Sequence, residues 1–151
     1  MIAQSIGRLL CGAFFFTLAL EMSAETPLAH HRWEHRLLLI FAPSAKDPSL
    51  RALEAALAKH QPELADREIV VYRFVDGEKA TRNGVPLEQS IAEQIHAEYG
   101  PPPDRFLLLL IGKDGTVKRR SLEPVPLETL FGQIDQMPMR KREMQDKSAH
   151  P

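Results

Sequence analysis

The sequence predicts a single α/β domain with its elements in the order β-α-β-α-β-β-α around a four-stranded mixed sheet. Three observations carry that expectation. Two unbroken apolar runs, Leu37–Ala42 and Phe106–Ile111, are of the kind buried on both faces of a sheet. Apolar residues recur three and four apart in the segments between the strands. The Asp114-Gly115 pair turns the last two strands back on each other.

Leu37–Ala42 shows no polar alternation and stops at Pro43, as a strand covered on both faces does. Asp47-Pro48 then supplies a capping carboxylate and a proline suited to a helix's first position. Leu50, Leu53 and Leu57 share one face, so a helix runs to about Lys59 and yields near Pro62. Glu68–Val75 is rich in β-branched and aromatic residues, ends at Asp76-Gly77, and pairs in parallel with the first strand across that helix. Residues 77–85 read as loop. A second helix starts at Pro86, places Leu87, Ile91 and Ile95 four apart, and ends at Gly100 and the run Pro101-Pro102-Pro103. Phe106–Ile111 is the central third strand, and Thr116–Ser121 returns as an edge strand guarded by Lys118, Arg119 and Arg120. A last helix from about Pro126 carries Leu127, Leu130, Phe131, Ile134 and Met137 on one stripe, until Pro138 interrupts it.

The flanks read differently. Residues 1–24 carry Arg8 and then the apolar run Leu9–Leu20, too short for the roughly 20 residues a bilayer helix needs, and so read as a secretory signal peptide cut after Ala24. The chain's one cysteine, Cys11, lies inside that segment, so the mature chain is expected to be cysteine-free, which excludes a cysteine-based oxidoreductase. Residues 25–36 are a polar lead-in, 37–138 the domain, and 139–151 a polar C-terminal tail expected to fray. The 151 residues hold 19 Lys plus Arg against 20 Asp plus Glu, a net charge of −1 that removes the usual warrant for nucleic-acid binding. No stable membrane insertion is expected once the signal is cleaved.

The element order is the minimal order of a thioredoxin-like three-layer sandwich, and the residues point the same way. The strings Arg32-Trp33, Arg36–Ser44, Asp47-Pro48, Asp66-Arg67-Glu68, Ile111–Gly115, Leu130-Phe131, Ile134-Asp135 and Met137–Arg140 resemble a family of small exported bacterial proteins. That family is a domain of unknown function with relatives in animal extracellular-matrix proteins carrying sushi repeats, regarded as thioredoxin-like or peroxiredoxin-like. The resemblance covers about residues 30–142. It implies that a redox cysteine would stand in the loop after the first strand, where this chain has Ala42-Pro43-Ser44-Ala45-Lys46-Asp47-Pro48, with Ser44 at a nucleophile-like position. The proline that usually precedes the third strand of such folds would fall near Leu107. Both hallmarks are absent.

The loop with Pro43, Ser44, Lys46 and Asp47 remains the candidate binding site, because it lies at the carboxyl end of a central strand and at a helix N-terminus. The topology brings Arg105 to the same end, where it is expected to complete a site for an anion or carboxylate. The alternative is that Asp47 only caps the helix. His31 and His35, with His30 and Glu34 beside them, have the four-residue step of zinc or copper ligands on a helical turn. No cysteine supports them, so surface histidines are the expectation, with no metal and no cofactor. Ser44 lacks a Gly-x-Ser-x-Gly elbow, and Ile111-Gly112-Lys113 lacks the upstream glycine of a phosphate loop. Trp33, Met137 and Met139 read as core or core-edge residues, and Arg140, Lys141 and Arg142 as a solvated face. The resulting expectation is an exported, periplasmic or secreted, non-catalytic binding or accessory protein of the cell envelope, whose partner is a protein or an envelope component. An enzyme of peroxiredoxin-like ancestry working through Ser44, Asp47 and Arg105 is the alternative, and a metal-binding protein a third.

Overall fold

A computed structural model describes residues 26–149; the expected signal segment and its cleavage after Ala24 lie outside the described residues. Strand β1 (Arg36–Ala42) is buried along its whole length because it is the centre of the sheet. It pairs in parallel with β2 (Ile69–Val75), Leu39 facing Tyr72, and antiparallel with β5 (Leu107–Ile111), Leu39 facing Leu109. Helices α1 (Pro48–Lys59) and α2 (Gln61–Asp66) make the crossover from β1 to β2. Pro62 lies in the first turn of α2, so it starts a short second helix where a simple stop was expected.

Alternation along β1 sorts two cores. Leu38, Ile40 and Ala42 pack with Leu50, Leu53 and Leu57 of α1 and with Leu130, Phe131 and Ile134 of α4 (Leu127–Asp135). Leu37, Leu39 and Phe41 point the other way, against Leu28 and against Ala92 and Ile95 of α3 (Gln89–Tyr99). Each fully buried leucine is worth about 1.5–3 kcal/mol, so the two layers of helices are held by the sheet's apolar strands rather than by their own propensity. This is the three-layer α/β/α sandwich that the sequence predicts.

The sheet has six strands, in the order β4-β3-β2-β1-β5-β6, where four were expected. The additional pair, β3 (Thr81–Arg82) and β4 (Val85–Pro86), lies in the stretch read as loop. Asn83 and Gly84 turn it, both with positive φ (48° and 81°), as a two-residue hairpin requires. Asn83 fixes the hairpin to the sheet, its N–H donating to the Val71 carbonyl and its Oδ1 accepting from the Val71 N–H, both at 2.8 Å. Pro86 therefore closes β4 and does not begin α3. At the opposite edge β6 (Val117–Ser121) carries Lys118, Arg119 and Arg120 as expected.

The expectation of a frayed tail at 139–151 does not hold over its described residues, 139–149. Residues Pro138–Ala149 form helix α5, begun by a proline and built mainly of good helix formers. It has almost no apolar face. Its anchors are ionic, and they bury Arg140 to 3% exposure, so that residue is no part of a solvated face. Trp33 departs in the other direction. It is 63% exposed with φ of 69°, outside both cores, while its N–H donates to the Lys113 carbonyl.

Candidate functional site

The loop after β1 is built by helix capping. Asp47 Oδ1 accepts from the Leu50 N–H at 3.0 Å, its own N–H donates to the Ser44 carbonyl at 3.1 Å, and Pro48 opens α1. Pro43 and Ser44 are half-buried and Lys46 is exposed. Arg105 lies at this end of the sheet because Leu107, two residues on, pairs with Phe41 near the end of β1. There it borders a recess of about 200 Å³ together with Phe41, Phe74, Asp76, His96 and Asp104. Neither Ser44, Lys46 nor Asp47 lines that recess, and the hydrogen bonds of the loop go to its own backbone and to α1, not to Arg105. The end of the sheet thus presents two separate features, a half-buried serine beside the exposed Lys46 and a small aromatic recess whose charged border is Arg105 with Asp76 and Asp104.

The histidines before β1 are drawn together. The His35 N–H donates to the His31 carbonyl at 2.9 Å, closing a tight turn that is not the expected helical one, since Arg32 is extended (ψ 132°) and Trp33 has a φ of 69°; the two Nδ1 atoms stand 3.3 Å apart. His31 is only 6% exposed, which corrects the expectation of surface histidines for this residue. Its Nε2 lies 2.7 Å from the Tyr72 hydroxyl in the middle of β2, a contact between residues 41 positions apart. Burial pushes the His31 imidazole down to about 4, and the neighbouring His30, His35 and Arg82 push the same way. Among the described residues no group of three or more His, Cys, Asp or Glu side chains is gathered as a ready metal site. A hollow of about 240 Å³ beside this turn is bordered by Leu28, His31, Arg32, His35 and Tyr99.

A third polar centre escaped the sequence reading. Arg36, the first residue of β1, is 1% exposed and grips Glu143 of α5 with both Nη atoms, at 3.1 and 3.0 Å, while Nη1 also donates to the Arg67 carbonyl at 2.9 Å. Lys113 joins Glu143 at 2.8 Å and also pairs with Glu68. Arg140 pairs with Asp66 and, at 3.2 Å, with Asp135, which Arg67 grips from the other side at 2.6 Å. Burial raises the Asp135 and Glu143 carboxyls, but the hydrogen bonds from Arg67 and Arg140, and from Arg36 and Lys113, outweigh it and hold both below the usual range. The hydrogen bond from Lys147 does the same for Asp66, with Arg140 adding to it. Most members of this network come from the strings that carry the family resemblance. The available signal was a set of charges at the ends of apolar strands. Local periodicity gave no means of pairing them.

Comparison with known proteins places this arrangement. The family model described as Domain of unknown function (DUF4174) matches residues 27–143. The chain is 28% identical over 138 residues to "Coiled-coil domain-containing protein 80" of Danio rerio, covering 81% of this chain and 16% of that protein. It therefore spans about one-sixth of that relative's length. Among solved structures it is similar to a reduced 2-Cys peroxiredoxin of Plasmodium vivax, with a TM-score of 0.52 and 12% identity over 76% of this chain and 84% of that one. That likeness concerns the fold.

Proposed function

The chain belongs to the family described as Domain of unknown function (DUF4174), and from that premise we propose that it is an exported, non-catalytic thioredoxin-like module that binds a protein or another component of the cell envelope. The observation that carries this reading is the use made of Asp47. Its carboxylate is committed to the Leu50 N–H, so the one acid in the loop caps a helix and does not serve Ser44 as a base. What the loop and its neighbourhood offer instead is a mixed-charge rim at the open end of the sheet, with Lys46 in the loop and Arg105 beside Asp76 and Asp104 at the recess. The signal-like segment with Arg8 and Leu9–Leu20 supports export, and a position in the periplasm or outside the cell follows from it.

The test is capture from the protein's own cell envelope, with the wild-type chain beside a Lys46→Glu, Arg105→Glu variant that leaves Asp47 and the cap intact. A partner held by the wild type, displaced by an excess of untagged wild-type protein and lost in the variant is the expected result. Substrate turnover that disappears in Ser44→Ala would overturn the reading in favour of an enzyme with a non-cysteine site in this loop. Full-length, unprocessed protein recovered from the cytoplasm would overturn export.

A further inference from the structure

We propose that His31 and His35 form a binding site for a zinc-class divalent cation, coordinating it through their two Nδ1 atoms with the Glu34 carboxylate as third ligand and the fourth position open. The site lies at the start of β1, at the opposite end of that strand from the Pro43–Asp47 loop, and stands independently of the function proposed for that loop.

Geometry is the first argument. Two imidazole nitrogens bound to one zinc ion at about 2.05 Å each, with a tetrahedral angle between them, stand about 3.3 Å apart, and their ring centres about 5.2 Å apart. The His31 and His35 Nδ1 atoms are 3.3 Å apart and the ring centres 5.2 Å. Without an ion the same two nitrogens are close enough to share one proton in an N–H···N hydrogen bond, which the ion would displace. The turn from His31 to His35, closed by the Glu34 and His35 N–H groups on the His31 carbonyl, holds this spacing in the backbone before any ion arrives.

The second argument is the other nitrogen of His31. Metal-bound histidines almost always hold their second ring nitrogen in a hydrogen bond that sets the tautomer and the plane of the ring. Here Nε2 sits 2.7 Å from the Tyr72 hydroxyl. With the proton on Nε2, donated to the Tyr72 oxygen, Nδ1 carries the lone pair and faces its partner. Tyr72 is itself anchored in the core of the sheet, 1% exposed, so the ring it positions is held in place.

The third argument is charge. Two neutral imidazoles alone hold zinc weakly, and Arg32 and Arg82 make the surroundings positive. Glu34 is the acid of this turn, its Oε2 already 3.9 Å from His35 Nδ1 on an exposed side chain that turns freely toward the ion. Its negative charge offsets one of the two arginines, and the remaining position, open to solvent, accepts water or a small anion, which offsets the other.

Tag-free protein, purified in chelator and then freed of it, is titrated calorimetrically with zinc sulfate alone. Expected are one equivalent bound per chain, an affinity at least about tenfold weaker in His35→Gln and in Glu34→Gln, and a loss of about tenfold or more in Tyr72→Phe, which removes only the hydroxyl that orients His31. Cobalt(II) replacing zinc is expected to show the intense visible bands of a four-coordinate ion. Because Tyr72 is also a buried core residue, the wild type supplies a second readout: zinc shifts the imidazole resonances of His31 and His35 and leaves those of His60 and His96 in place. Absence of saturable binding up to millimolar zinc, equal affinity in His35→Gln, or zinc-induced shifts confined to the other histidines would each overturn the site.

Discussion

Arg36 and Glu143, 107 positions apart, meet in a two-pronged ion pair whose nitrogen–oxygen distances are 3.1 and 3.0 Å, with the arginine sealed from solvent. The pair joins the first strand of the sheet to the last helix of the chain, and Lys113 closes it from the end of β5. A buried pair of this kind need not add net stability compared with an apolar replacement, yet removing one member strands the other. Glu143→Ala is therefore expected to cost about 3–5 kcal/mol, read from urea unfolding. A loss under about 1 kcal/mol would mean that Arg36 finds water or another acid in its place.

Along α5 the ionic anchors differ in depth, and the consequences of removing them should differ accordingly. Arg140 is buried against Asp66 and Asp135, whereas Lys147 meets Asp66 at 2.6 Å on a side chain that is 60% exposed. Arg140→Ala is expected to cost several times more than Lys147→Ala, about 3 kcal/mol or more against less than about 1. Equal effects in thermal unfolding would remove the distinction.

Acid should weaken the fold in two stages. His31 has its folded value, about 4, below its ordinary 6.5, so its contribution is complete above about pH 6.5 and is lost as protonation favours the unfolded chain on the way down. Asp66, Asp135 and Glu143 are also held below their ordinary values of 3.8, 3.8 and 4.5, so their contributions are present above those values and are lost only as pH falls further. Unfolding free energy, measured with a chelator present, is expected to decline from about pH 6.5 and more steeply below about pH 4. Stability that is constant or rising between those points would contradict the His31 environment.

At the loop after β1, Asp47 and Ser44 should separate cleanly. Asp47→Ala removes the cap on α1 and is expected to cost about 1 kcal/mol, while Ser44→Ala is expected to stay within about 0.5 kcal/mol of the wild type. A large destabilisation by Ser44→Ala, read by chemical denaturation, would assign that hydroxyl a structural bond the fold does not show.

Trp33, the chain's only tryptophan, should report its exposure directly. Native fluorescence is expected to be red-shifted and close to that of the unfolded protein, so unfolding is better followed by circular dichroism. Because its φ of 69° is unfavourable for a bulky residue, Trp33→Gly is expected to be neutral or stabilising by up to about 1 kcal/mol. A blue-shifted native spectrum would return Trp33 to the core.

The sheet's centre was legible because its signals are local. Leu37–Ala42 and Phe106–Ile111 are too apolar to face water, Asp47-Pro48 can cap only a helix that follows it, and Asp114-Gly115 suits a tight turn. The β3–β4 hairpin was equally local in its Asn83-Gly84 pair, but strands of two residues leave no hydrophobic period to see. Of the candidate site residues, topology alone brought Arg105 to the end of β1. Which neighbours it borders there, His96 and Asp76 and not Ser44, depends on how α3 packs.

The sequence by itself determined the order of the elements, the central strands and the helix faces, because the hydrophobic period and the capping residues act over a few neighbouring positions. Only the tertiary structure decided that a polar tail is a docked helix, that His31 is buried against Tyr72, and that Arg36 is matched by Glu143. A charge or an imidazole is stable inside the protein only when a specific partner reaches it. That partner comes from a segment 41 or 107 positions away, at a distance that no local pattern in the chain encodes.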